Sequence, residues 1–110
     1  MIEKIVLDYL KSKGFKAYME ENPDLKSEYV LIEKTGGSEE NHIKRATLAI
    51  QSFSNSLYKT AVLNEKLKEA MKQIIGLDSI SKCTLNADYN FTDTTSKRYR
   101  YQAVFDVVYY

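Results

Sequence analysis

Among its 110 residues the chain has one cysteine, one histidine, one proline and no tryptophan. A lone Cys83 excludes an internal disulfide. With only His42 to accompany it, a Cys/His zinc cluster is excluded too, since such a cluster takes four ligands. Charge of one sign is also missing: the formal net charge is +1, where a dedicated nucleic-acid binder is expected to be strongly basic. That balance still allows a local basic patch. No long apolar run is present either. The segment Met1–Leu10 is broken by Glu3, Lys4 and Asp8, a pattern of neither a signal peptide nor a membrane span. The expectation is a protein made in the cytoplasm, with no cofactor and no metal.

What is present is an ordinary globular mixture. Hydrophobic residues make up 44% and charged residues 28%, which is not the composition of a disordered chain. The length suits one domain over residues 1–110, able to fold alone without a large margin. There is no internal repeat, low-complexity tract or linker.

The first segment reads as a helix, because Ile2, Ile5, Val6, Tyr9 and Leu10 recur at the spacing of one helical face. Gly14 supplies the left-handed stop, and Phe15 covers the last turn. A short strand is predicted over Phe15–Glu20, and a turn at Glu21-Asn22-Pro23-Asp24, where Pro23 fixes its own φ and restricts Asn22. Glu28–Lys34 reads as a strand whose run Tyr29-Val30-Leu31-Ile32 is expected to be covered on both faces. Thr35–Asn41 is expected to be an acidic loop.

His42–Phe53 alternates, with Ala46, Leu48 and Ile50 on one face and Arg45, Thr47 and Gln51 on the other. A long helix follows almost at once, with Leu63, Leu67, Ala70, Met71 and Ile74 as its buried stripe. Ser54, Asn55 or Ser56 can cap it, and Gly76 with Leu77 repeats the stop of the first helix. Ile80–Phe91 and Tyr99–Tyr110 read as two long strands joined by a polar loop, Thr92–Lys97. Cys83, Leu85, Ala87, Tyr89 and Phe91 are expected on one face of the first. On the second, Tyr99, Tyr101, Ala103, Phe105, Val107 and Tyr109 share a face. The order α-β-β-β-α-β-β predicts an α+β domain, an antiparallel sheet of four to five strands with two helices packed on one face.

Candidate chemistry is sparse. A Cys83–His42 nucleophile and base would need the fold to unite them; the plainer readings are a small buried hydrophobe and a solvated polar residue. Gly36-Gly37-Ser38 lacks a Walker lysine and a dinucleotide fingerprint, so it reads as a hairpin loop. The adjacent acids Glu20-Glu21 and Glu39-Glu40 face apart and make poor acid–base pairs. Asn86, Asp88, Asn90 and Asp93 lack calcium-loop spacing.

The strongest cluster is Lys97-Arg98-Tyr99-Arg100-Tyr101. On a strand Arg98 and Arg100 share one face, and Tyr99 and Tyr101 the other. Interleaved Arg and Tyr can hold single-stranded nucleic acid. The plainer account is an interior aromatic set with a wet cationic edge, and a protein interface is the other alternative, since Tyr and Arg are enriched there.

The N-terminal helix, the Glu28–Lys34 strand entering a Gly-Gly loop, the strand ending Ala49-Ile50-Gln51-Ser52-Phe53, the helix opening Ser56-Leu57-Tyr58-Lys59-Thr60-Ala61 and the final long hairpin together resemble the small tail-terminator (tail-completion) proteins of siphophages and related prophages. The resemblance covers most of the chain. It implies a non-enzymatic virion protein at the tail–head interface, forming a ring, typically a hexamer, on the head-proximal end of the tail tube. Such a ring stops tube polymerisation and offers a docking surface for the head. Its partners would be copies of itself, the major tail tube protein and a head–tail connector protein, with genomic DNA only passing through the lumen and no membrane. The interaction residues this suggests are Glu39, Glu40, Asn41, Lys97, Arg98 and Arg100, with the arginines facing Glu39 and Glu40 of a neighbour. Similar strand-then-helix segments occur in other neck proteins of these viruses. A small nucleic-acid or protein-binding module using Lys97–Tyr101 is the further alternative, and an enzyme whose site forms only on oligomerisation is a third.

Overall fold

The computed structural model describes residues 1–20, 28–93 and 98–110. The predicted turn at Glu21–Asp24 and the residue Lys97 lie outside the described residues. The elements are α1 (Ile2–Ser12), β1 (Ala17–Tyr18), β2 (Tyr29–Glu40), β3 (Ile43–Ser54), α2 (Leu57–Lys72), a 3-10 turn (Ile74–Gly76), β4 (Ile80–Asn90) and β5 (Tyr99–Tyr109). This is the predicted α+β order. The sheet has five strands in the order β1-β2-β3-β5-β4. Four of them are antiparallel to their neighbours, while β1 pairs parallel to β2 through Ala17–Val30 and Tyr18–Leu31.

Both helices cover one face. Ile2, Val6 and Leu10 of α1 and Leu63, Leu67 and Met71 of α2 pack on Val30, Ile32, Leu48, Ile50, Ala103, Phe105 and Val107. The Tyr9 hydroxyl donates to the Ala70 carbonyl at 2.6 Å and ties the helices together. Helix α1 ends as its sequence dictates: Gly14 has φ +93°, the Phe15 N–H reaches the Leu10 carbonyl at 3.0 Å, and the Gly14 N–H reaches Lys11. At the start of α2 the cap is Ser56, whose hydroxyl accepts from the Lys59 N–H at 3.1 Å.

Several expectations are corrected. The short strand shrinks from Phe15–Glu20 to Ala17–Tyr18. Gly76 does not repeat the Gly14 stop: it lies in the 3-10 turn, where its N–H bonds to Gln73 and the Leu77 N–H bonds to Ile74. Thr35–Asn41 is not a loop. Strands β2 and β3 continue as a paired arm, with a bulge between Lys34 and Gly36, to a two-residue turn at Asn41-His42. Both turn residues have positive φ, 52° and 66°, the type I′ geometry that matches strand twist. From Glu33 to Glu40 the arm is exposed throughout.

The largest correction is the facing of β4. Cys83 and Leu85 do share the helix side with Val107 and Phe105, but a bulge between Leu85 and Ala87 inserts one residue. A one-residue insertion exchanges the two faces beyond it. Asp88 therefore pairs with Ala103 on the helix side, while Ala87, Tyr89 and Phe91 fall on the open side.

Candidate functional site

The open face of the sheet carries the patch that the sequence only half discloses. Alternation along β3 turns Phe53 away from the helices, as it does Tyr29 on β2, and the two rings stack with centroids 4.7 Å apart and an interplanar angle of 12°. The β5 register sets Arg100 beside Phe53. Its guanidinium carbon stands 4.4 Å from the Phe91 centroid and 5.7 Å from that of Phe53. Arg98 lies over the same stack, 4.9 Å from the Phe53 ring and 5.6 Å from the Tyr29 ring, and donates to the Tyr29 hydroxyl. Tyr18 meets Tyr29 edge-on at 6.1 Å, and Tyr89 meets Phe91 edge-on at 5.7 Å. One continuous row of rings and guanidiniums thus crosses all five strands.

This geometry decides what the patch can do. Tyr29 and Phe53 are 2% and 3% exposed, their faces taken by each other and by the arginines, so they offer no face to a base. The guanidiniums are held instead. The Arg100 Nε donates to the Phe91 carbonyl at 3.0 Å, fixing the fork against two rings. An arginine so positioned loses little freedom when it grips a carboxylate. Exposed Phe91 and Tyr89, each a little over 40% accessible, flank it with apolar surface. Tyr99 and Tyr101 point the other way, as expected from their parity.

Glu39, Glu40 and Asn41 sit at the opposite end. Glu39 pairs with Lys44 and Glu40 with Ile43, beside the turn. From Lys44 to Phe53 a strand covers roughly 30 Å, so the acidic tip and the arginines do not meet within one chain. A contact between them in two copies requires tip to meet base, end to end. The molecule is elongated to match, 45 × 25 × 22 Å.

A second polar cluster fastens β4 to α2. The Asn64 amide donates to Asp88 Oδ1 at 2.7 Å, and Lys68 reaches Asp88 Oδ2 at 2.5 Å and Glu65 at 2.6 Å. The hydrogen bond to Asp88, then that to Glu65, raises the Lys68 pKa above its ordinary value. Only 16% of the Lys68 side chain is exposed, so the pairing is partly sheltered from solvent.

Cys83 is no nucleophile here. Burial first, and the nearby Asp106 charge second, push its thiol up to about 11. His42 is exposed at the tip of the arm. Among the described residues no three His, Cys, Asp or Glu side chains are placed to hold a metal ion. No helix is long and apolar enough to cross a membrane.

Tyr29, Phe53, Phe91, Tyr89 and Tyr18 were not singled out by their sequence positions. Phe53 was within reach, because it has the parity of Gln51 and not of Ile50. Phe91 was not, because its facing depends on the bulge. Comparison with protein-family models and with curated proteins gives no match for the chain.

Proposed function

We propose that this chain is a structural assembly subunit of the tail-terminator kind, a ring former that closes the head-proximal end of a phage tail tube and receives the head. The observation that carries the reading is the chemical difference between the two ends of one sheet. One end is a projecting acidic tip, Glu39-Glu40-Asn41, and the other a rigid arginine–aromatic patch around Arg98 and Arg100. A cap needs two unlike surfaces. One must imitate the next tube layer, and the other must differ enough to stop growth and dock something else. In a closed ring of like-oriented copies these ends become two unlike rims, one toward the tube and one toward the connector. Buried aromatics carrying fixed arginines are the kind of feature that dominates protein interfaces.

The nucleic-acid reading has less support, because the rings nearest the arginines are already stacked face to face. Another head–tail joining role would use the same two rims.

The test is the double charge reversal Arg98→Glu with Arg100→Glu. Each lost cation–π contact costs about 0.5–1 kcal/mol, small against a domain stability of about 5–15 kcal/mol, so the chain stays folded. The reading expects unchanged far-UV circular dichroism together with weakened ring formation or failed tail capping. Unchanged oligomerisation and unchanged infectivity in the folded double variant contradict it.

A further inference from the structure

Rims say nothing about how neighbouring copies hold on to each other laterally, and the two edges of the sheet address that. Among the described residues β1 pairs only with Val30 and Leu31, leaving the outer edge of β2 bare along the arm, and no strand pairs with the outer edge of β4. Bare edges invite another strand unless something blunts them. Here bulges blunt most of both. On β2 the bulge lies between Lys34 and Gly36; on β4 bulges lie at Ile80/Lys82 and at Leu85/Ala87. What remains regular is Gly36–Glu40 on one edge and Lys82–Leu85 on the other.

These two stretches lie level across the sheet. Following the pairing row by row, Ser38 is level with Arg45, Val108 and Lys82; Gly37 is level with Cys83, and Gly36 with Thr84. Directions match as well. Strand β4 runs opposite to β2, because the path β2-β3-β5-β4 reverses three times. Copies related by rotation about an axis along the strands keep the same orientation. The β4 edge of one would then meet the β2 edge of the next antiparallel, continuing the alternation unbroken.

Local chemistry suits the junction. A residue pair flanking a two-residue turn exchanges both its hydrogen bonds, so Glu40 faces Ile43, while Glu39 and Gly37 turn their backbone groups outward. Gly36 has nothing within 4 Å of where a Cβ would lie. Lys82 and Glu40 are both exposed, on the same side of the sheet, and a one-row diagonal across the junction is within reach of their long side chains.

From this we infer that Gly36–Glu40 of one copy receives Lys82–Leu85 of the next as an added antiparallel strand, so that the sheet runs on from subunit to subunit. The inference rests on the ring reading and specifies its lateral contact. Occupation of one edge by the other on every copy is a heterologous contact, which closes into a ring when the rotation allows.

Two variants of the full chain test it. Glu39→Pro removes an outward N–H and leaves the bonds between β2 and β3 in place. Ser38→Cys with Lys82→Cys, in a Cys83→Ser background, sets thiols on level positions of the two edges. Expected results are a folded Glu39→Pro chain that sediments as a monomer, and a ladder of covalent multimers when the double-cysteine chain is oxidised. Each single-cysteine control should stop at dimers. Rings formed as well by Glu39→Pro as by the unaltered chain overturn the inference and leave the ring reading standing. So do rings of the double-cysteine chain that yield nothing above a dimer. A double-cysteine chain that neither associates nor cross-links overturns both.

Discussion

The Arg100 guanidinium lies flat enough on Phe91 to hold its carbon 4.4 Å from the ring centroid, although the two residues belong to different strands and Phe91 has the sequence parity of the core. The bulge in β4 makes this possible. It turns the last residues of β4 outward just where β5 brings its arginines. The patch therefore has a buried half and an exposed half, which should respond differently to truncation.

Phe53→Ala is expected to cost about 3 kcal/mol, because it empties a site 3% exposed and removes the stacking partner of Tyr29. Phe91→Ala, at a residue 43% exposed, should cost about 1 kcal/mol, mostly its contact with Arg100. Urea unfolding of the two variants checks the ranking, and equal costs would contradict the burial argument.

Asp88→Ala should cost about 1–3 kcal/mol, since the buried Asn64 amide loses its acceptor. Asp88→Asn keeps a carbonyl oxygen in place and should cost less. Urea midpoints falling in the reverse order would mean that Asp88 is not the fastening between β4 and α2.

Gly14 and Gly76 follow their helices alike in the sequence and differ in the fold. Gly14→Ala should destabilise by about 1 kcal/mol, because the position requires φ +93°. Gly76→Ala should stay within about 0.5 kcal/mol, having neither a positive φ nor a neighbour within 4 Å of the new methyl. Thermal melts distinguish the pair.

With its thiol pushed up to about 11, Cys83 should react with iodoacetamide at pH 8 on the order of 100-fold more slowly than a free thiol. Linkage gives the stability trend. The folded chain holds the Cys83 proton more tightly than the unfolded chain, whose thiol titrates near 9. Stability from this group is therefore complete below pH 9 and is lost as pH rises toward about 11. Lys68, raised by Asp88 and Glu65, acts in the same direction at still higher pH. Alkaline urea titrations of the Cys83→Ser variant should show a shallower decline than those of the unaltered chain.

How far the sequence discloses this molecule depends on what sets each feature. Periodicity and local stop signals are strong for α1, where five apolar residues and Gly14 agree, and for β3, where alternation is unbroken. Those elements form as expected. The arm was missed because Thr35-Gly36-Gly37-Ser38 has weak strand propensity and its turn is Asn-His, not Asn-Gly. Cross-strand pairing with Lys44–Thr47 holds it extended nonetheless. The bulges were invisible for a different reason: an extra residue shows only through the register of a partner strand. For the site, Arg98 and Arg100 were legible as a cationic pair and Glu39 and Glu40 as an acidic pair. Their placement at opposite ends was not, because it follows from the order β1-β2-β3-β5-β4 and not from either segment alone.

Electron microscopy of tails assembled without this protein bears most directly on whether the chain acts by closing a growing tube. The account predicts tubes of uncontrolled length that fail to join heads, restored to uniform length when the unaltered chain is supplied. Tails of normal length joined to filled heads in its absence would contradict it.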